Sequence, residues 1–240
     1  MTKRVDFEVA DWGELASGPA TWSGYAAAVM GLGPAGYWRE LDAAGQEVVE
    51  LTGGAPGLEV VGGASAVAGP VARDATTAVH LPGSGNRARA GQNMIPSAAD
   101  ATYTLVFWLR TEQSELGMYV VDHANAWWVG TFEDGRLAVG IHGSVVLEHG
   151  GQDHRDGKWH QVAVRRSANG DMALWLDGQQ VDTGSHTSAV SPAMDGFRIG
   201  HEIFGVNGDL GEVALYEHVL GAAEVVGLWQ RGRAVFAPAA

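Results

Sequence analysis

Six short reversals dominate the second half of the chain. Asp-Gly stands at Asp134-Gly135, Asp156-Gly157, Asp177-Gly178 and Asp195-Gly196, and Asn-Gly at Asn169-Gly170 and Asn207-Gly208. Tight hairpin turns need positive φ, which Gly and Asn adopt at least cost. Runs of β-branched and aromatic residues lie between these dipeptides. The pattern predicts consecutive antiparallel strands, and so an all-β chain. Glycine content agrees: 35 of 240 residues, about twice the usual share of roughly 7%, scattered without a repeat period.

The strands can be read from their alternation. Residues 102–110 place Tyr103, Leu105, Phe107 and Leu109 on one face and Val106 and Trp108 on the other. A strand apolar on both faces belongs in the middle of a packed structure. Residues 158–167 behave alike, with Trp159 and Ala163 facing one way and His160, Val162 and Val164 the other. Further strands are predicted over 136–142, 144–149, 197–200 and 206–217, a hairpin closed by Asp177-Gly178 over 173–181, and shorter strands over 36–41, 58–61, 78–81 and 87–90. Two short helices are expected. Ser23 would cap one over 25–30, ended by Gly31 and Gly33. The other spans 221–230, with Glu224 three residues after its N-cap and Gly232 ending it.

Charge and residue usage exclude several functions. Lys+Arg is 15 against 28 Asp+Glu, a formal net charge of −13. That balance disfavours general nucleic-acid binding and attachment to an anionic membrane surface. The absence of cysteine removes disulfides, thiolate nucleophiles and cysteine-based zinc sites. No export signal is read at the start, since Val5-Asp6-Phe7-Glu8 is acidic where an apolar segment would begin. The longest weakly polar stretch, 25–38, is broken by Gly31, Gly33, Pro34 and Gly36. It falls short of the about 20 apolar residues that cross a bilayer as a helix.

Several motifs resemble the laminin-G-like, concanavalin A-like jelly-roll family. Gly33-Pro34-Ala35-Gly36 followed by Tyr37-Trp38-Arg39-Glu40-Leu41 resembles the family's opening strand. Thr77-Ala78-Val79-His80-Leu81 with Gly83-Ser84-Gly85-Asn86 resembles its early strand and glycine turn, and 104–110 its central Phe-Trp strand. Asp156-Gly157-Lys158-Trp159-His160-Gln161-Val162-Ala163-Val164 is the most specific match, followed by Leu174-Trp175-Leu176-Asp177-Gly178. Gly211-Glu212-Val213-Ala214-Leu215-Tyr216 and the Glu224 helix resemble the closing strand and helix. The resemblance implies an antiparallel jelly-roll sandwich over 24–232, preceded by an N-terminal arm, 1–23, and followed by a tail, 233–240. Such domains often carry Asp where Gly211 stands, and that Asp can help hold calcium. The departure puts a structural calcium in doubt, and no other cofactor is implied.

The same fold hosts glycosidases, which need two carboxyl groups about 5 to 5.5 Å apart in the retaining class. Same-face residues on a strand are two apart. Glu8 and Asp11, near Glu14, are three apart, and Glu212 and Glu217 are five apart, so neither pair shares a face. The segment around Glu8 reads better as a solvated acidic arm. No nucleophile elbow, phosphate loop or His-Glu-x-x-His motif is present. The nine histidines (80, 123, 142, 149, 154, 160, 186, 201 and 218) form no ligand pair by spacing. His160 reads as structural.

Aromatics carry more. Trp38, Trp108, Trp159, Trp175 and Trp229 fall in the family motifs and read as core. Trp127 and Trp128 are adjacent on a strand, so they face opposite sides. One can pack inward while the other is exposed, or both can be buried. With His123 and Asn125 they form the candidate ligand-binding edge, and Trp12 and Trp22 are the candidate partner-binding residues of the arm.

Three functional classes stay open. The first is a non-catalytic structural or recognition protein on a particle surface, such as a phage capsid decoration or tail. It would be multi-copy, in contact with other virion or surface proteins, and would aid adhesion to glycans. This reading takes the chain as complete from Met1, made in the cytoplasm and displayed on a virion or extracellular surface. The second is a free carbohydrate-binding lectin module. The third is a glycoside hydrolase or lyase.

Overall fold

A computed structural model describes residues 24–41, 46–71, 77–123, 125–150, 154–190 and 196–233. It begins with helix α1 (Gly24–Gly31). Six strands follow: β1 (Gly36–Leu41), β2 (Glu47–Glu50), β3 (Leu58–Val61), β4 (Ser65–Ala68), β5 (Thr77–Pro82) and β6 (Arg87–Arg89). Next come β7 (Tyr103–Thr111), β8 (Gly117–Asp122), β9 (Trp127–Thr131), β10 (Leu137–Ile141) and β11 (Ser144–His149). The chain continues through β12 (His160–Arg166), β13 (Asp171–Leu176), β14 (Gln179–Ser185), β15 (Arg198–Gly200) and β16 (Asn207–Tyr216), and ends in helix α2 (Ala222–Arg233).

The strands form one continuous path, β11-β10-β9-β8-β15-β6-β3-β2-β1-β16-β7-β12-β13-β14, with β5 paired to β16 and β4 to β5. The pairings are antiparallel. The sheet folds back on itself around one core. Tyr103, Leu105, Phe107 and Leu109 of β7 and Val162 and Val164 of β12 meet Val120, Trp127, Val129 and Val139 from the opposite half. The fold is an all-β jelly-roll sandwich with two short helices.

Faces follow the alternation. Val106 and Trp108 of β7 and Ala163 of β12 point away from the main core into a second cluster, closed by Tyr25, Ala26 and Val29 of α1 and Val225 and Leu228 of α2. β7 is therefore apolar on both faces because one meets the core and the other the helices. Helix α2 opens on a reciprocal cap, in which Gly221 N–H donates to Glu224 Oε2 at 2.6 Å. It runs through Gly232 to Arg233 rather than ending at residue 230. Ser23 lies outside the described residues.

Three of the six dipeptides make the expected hairpins: 134–135 joins β9 to β10, 169–170 joins β12 to β13, and 177–178 joins β13 to β14. At the last, Asp177 (φ 52°) and Gly178 (φ 73°) are both left-handed, as a twisted two-residue loop needs. Asn207-Gly208 is a correction: it lies inside β16, where Gly208 pairs with both Leu81 and Thr111. Strands β2, β4 and β8 were not predicted. Trp159 and Trp229 are half-buried at the margin of the second cluster rather than in its interior.

The register of β16 contains one extra residue. Gly211 pairs with Trp108, yet Ala214 pairs with Val106, so Glu212 and Val213 together oppose Phe107. The bulge keeps Leu210, Val213 and Leu215 all in the main core. Without it, a slip of one would turn Val213 and Leu215 outward. Glu212 occupies the left-handed region (φ 55°), which costs a non-glycine residue about 1–3 kcal/mol. Its buried carboxylate is held by β1: Arg39 Nη2 donates at 3.0 Å, Arg39 Nε at 3.0 and 3.1 Å, and the Tyr37 hydroxyl also donates to it. Burial and the Glu212 charge raise the Tyr37 pKa well above its ordinary value, so the phenol keeps its proton. Arg39→Met leaves the carboxylate buried without its cation. Urea unfolding should show a loss of about 3–5 kcal/mol. Adding Glu212→Gln to the same chain should recover part of that loss.

Candidate functional site

The residues singled out around Trp127 form a packed corner. Trp127 is 0% exposed and its Nε1–H donates to the Tyr103 hydroxyl at 2.8 Å. Trp128 points to the other face, as alternation requires, but is only 7% exposed. Its ring lies against Gly140, where an added Cβ would fall 2.1 Å from the indole, and it packs with Val121 and Ala138. The glycine makes a slot that takes in the outward ring, so neither tryptophan offers a free stacking face. His123 is also buried: its Nε2–H donates to Ile95 O at 2.7 Å and its Nδ1 accepts from Asn93 at 3.0 Å. Asn125 is exposed, and its Oδ1 accepts from Arg198 (2.5 Å) and His201 (3.1 Å). The four side chains thus do not gather into an open edge. Trp12 and Trp22 lie outside the described residues.

Polar side chains converge instead where β5, β16 and β7 run side by side. Asp209 of β16 pairs in register with His80 of β5 and with Arg110 of β7. Directly opposite residues share a face, so the three side chains form a row across the sheet. Asp209 is the buried hub. Its Oδ1 accepts from His80 Nδ1 at 2.7 Å and its Oδ2 from Arg110 Nε at 2.6 Å. A carboxylate only accepts, so it fixes the proton of a neutral His80 on Nδ1 and leaves Nε2 as an acceptor. The row lines a groove of about 560 Å³, whose other walls include Glu112, Gln113, Gly157 and Asn207. A groove of about 650 Å³ over β12–β14 is lined by Arg165, Asp171, Gln180 and Thr183 among others. There Arg165 lies over Trp175 and donates to Leu220 O, and it heads no comparable row.

Trp159 stands beside the first groove, with the Arg110 guanidinium 4.9 Å from its ring centre. It is bracketed by an ionic clamp. His160 Nδ1 donates to Asp177 Oδ2 at 2.7 Å and Nε2 to Asp156 Oδ1 at 3.0 Å, which engages both ring nitrogens as an imidazolium does. Burial pulls the His160 pKa down, but the two carboxylates outweigh it and the net shift is upward. The Asp156 carboxyl is resisted by desolvation yet held well below its ordinary range by Lys158 and His160. A raised histidine pKa stabilises the fold fully below the unfolded value of about 6.5, and the gain disappears as pH rises through the folded value. The urea midpoint should therefore fall from pH 6 into the alkaline range, and His160→Gln should flatten that slope. An unchanged slope in the variant would refute the clamp.

Two buried carboxylates, Asp209 and Glu212, are committed to partners within the sheet. Asp209 uses both oxygens on His80 and Arg110, and Glu212 is held by Arg39 and Tyr37. Glu212 is buried while Glu217 is exposed. Glu8, Asp11 and Glu14 lie outside the described residues. A calcium site at Gly211 does not fit this chain: a Cβ there would lie 3.1 Å from Ala78 Cβ and 3.3 Å from Pro70 Cδ, and the adjacent Glu212 is already bound. Among the described residues no three histidine or acidic side chains gather as a metal-holding group. No helix among them is long and apolar enough to cross a membrane.

The row was missed because its members are far apart in the chain and join only through register. Their signal is a polar residue at an alternating position, His80 between Val79 and Leu81 and Asp209 before Leu210, which a sequence alone cannot pair.

Comparison with solved structures places this architecture. Domain 4 of AbnA, a GH43 extracellular arabinanase from Geobacillus stearothermophilus solved with arabinotriose, matches with TM-score 0.62 and 16% identity, over 82% of this chain and 98% of that one. The binding domain of Paraclostridial Mosquitocidal Protein 1 matches with TM-score 0.65 and 16% identity, over 81% of this chain and 52% of that one. The ligand-binding domain of botulinum neurotoxin serotype D, solved with N-acetylneuraminic acid, matches with TM-score 0.59 and 14% identity, over 85% and 52%. The chain thus spans about half of the toxin domains and nearly all of the arabinanase domain. At these identities the likeness is one of fold. No curated protein sequence matches the chain. The concanavalin A-like lectin/glucanases family pattern matches residues 82–226, more than half of the chain. That stretch includes the central β7 strand, the Trp159 segment, the whole closing strand β16 and the first turn of α2, and on this match the chain belongs to the concanavalin A-like lectin/glucanases superfamily.

Proposed function

We propose that this domain is a non-catalytic carbohydrate-binding module and that the groove beside β5, β16 and β7 holds the sugar. The row His80–Asp209–Arg110 carries the reading. Sugars are bound by planar polar side chains that hydrogen-bond neighbouring hydroxyls, with fixed orientation supplied by partners behind them. Here Asp209 orients both flanking groups, leaving His80 Nε2 and the terminal nitrogens of Arg110 for a ligand, while Glu112 and Asn207 add polar side chains on the walls. A rigid sheet presents them, which limits the ordering cost of binding. The arabinanase domain solved with arabinotriose and the toxin domain solved with a sialic acid share the fold, and they support a recognition role over a structural one.

The placement on a virion, with the arm of Trp12 and Trp22 as anchor and many copies in contact, is a finer reading. It draws no support from these relatives, which belong to an extracellular enzyme and to toxins.

Glycan-array screening of the whole chain, followed by calorimetric titration of the hits, tests the module. Arg110→Ala should weaken binding by roughly ten- to a hundredfold, as expected for hydrogen bonds to a charged group worth about 1.5–3 kcal/mol. His80→Ala should act in the same direction, with folded spectra in both variants. The bound oligosaccharide should be recovered uncleaved. Silence on all glycans, or binding indifferent to both substitutions, would sink the assignment.

A further inference from the structure

We infer that the groove takes an uncharged oligosaccharide of more than one ring, whose far end packs on an apolar finger formed by Ile203 and Phe204. This rests on the carbohydrate-binding reading above and names the ligand class of the same site. Among the described residues the large apolar side chains that stand exposed are Val145 (41%), Ile203 (66%) and Phe204 (37%). Two of the three are neighbours in the loop that enters β16.

That loop is braced from behind. Ile203 and Phe204 N–H donate to His201 Nδ1 at 3.1 and 3.0 Å, so the His201 proton sits on Nε2, which donates to Asn125 Oδ1 at 3.1 Å. Met118 N–H donates to Phe204 O at 2.7 Å and Gly85 N–H to Glu202 O at 2.9 Å. Ser84 Oγ donates to Ile203 O at 2.7 Å. The Phe204 ring lies nearly parallel to the His201 ring, with centres 5.5 Å apart. An exposed apolar pair on a fixed backbone is a contact device that loses little entropy on binding.

The finger and the groove share a wall. Gln113 lines the groove. Its Nε2 donates to Gly205 O at 3.1 Å, and its Oε1 accepts from Asn207 N–H at 2.5 Å. Three residue steps separate Phe204 from Asn207, a span of at most about 11 Å. The polar row and Phe204 therefore lie within reach of one oligosaccharide. Beside the groove the indole face of Trp159 is taken by Arg110, which leaves Phe204 to supply the aromatic face.

Charge selects a neutral ligand. The Arg110 cation is matched by Asp209 at 2.6 Å. Glu112 adds a negative charge to the walls, on a chain of formal charge −13. A sugar carboxylate would meet like charge without an unpaired cation to offset it.

The test is titration of the whole chain with neutral arabino-, xylo- and cello-oligosaccharides from the monosaccharide upward, and with oligogalacturonides of matching length. In the native chain, affinity for one neutral series should rise about tenfold or more from the monosaccharide to the trisaccharide, with the oligogalacturonides at least about tenfold weaker. Phe204→Ala should leave monosaccharide affinity unchanged and reduce the rise to below about threefold. Ile203→Ala, at the more exposed position, should act in the same direction. A length dependence that survives both substitutions, or equal binding of the acidic series, overturns this inference while leaving the groove as the sugar site. No binding to any series overturns the carbohydrate reading itself.

Discussion

The buried ion pair between Arg39 and Glu212 is the contact on which the remaining geometry depends. It is not there for net stability, since exchanging such a pair for apolar residues is often neutral or favourable. Its role is positional. Glu212 is the additional residue of the β16 bulge and sits in a left-handed conformation. An isolated left-handed glutamate would relax, and the strand would slip. The guanidinium of Arg39 and the hydroxyl of Tyr37, both from β1, hold the carboxylate in place. They tie the bulge to a strand that is far away in the chain but adjacent in the sheet. The bulge then allows both halves of β16 to keep their apolar residues on the core side.

The polar groove follows from that register. Upstream of the bulge, β16 pairs with β5 and β7 so that His80, Asp209 and Arg110 line up on the face away from the main core. Nearer the helices the same face is apolar and covered: Val106, Trp108 and Ala214 meet α1 and α2. One sheet surface therefore serves two ends. The helices bury one part, and the remainder opens as a polar cleft. A one-residue change in register would exchange Asp209 for a leucine in that row and place the carboxylate in the core.

This explains which parts of the molecule were legible in the sequence. The faces of β7 and β12 came directly from alternation, because burial on either side acts on consecutive residues. The hairpin at Asp177-Gly178 was legible because two consecutive left-handed residues demand particular side chains. Asn207-Gly208 misled for the same reason: the dipeptide reports tolerance of a turn, not its presence. Gly208 lies within the strand, where a Cβ would come 2.6 Å from Arg110 O. The burial of Trp128 depends on Gly140 of the neighbouring strand, and the groove depends on three strands whose order is not local. Neither is encoded at any single position, so neither could be read before the pairing was known.

Exposure of aromatics carries the functional argument further than their number does. Most tryptophans of the described residues serve packing, and Trp159, which reaches the surface, has its ring engaged by Arg110. Phe204 differs in that what holds it lies behind it. His201 accepts both backbone N–H groups of the finger and stacks on the phenyl ring, and Asn125 and Arg198 in turn hold that corner. Polar groups are thus spent on fixing an apolar side chain in solvent, an arrangement that core packing does not require. Asn125, through His201, thus braces the loop of Ile203 and Phe204. The same logic applies to Asp209, whose oxygens face His80 and Arg110. In both places a bracing residue fixes the orientation of the side chain in front of it, and the strand framework makes that division possible.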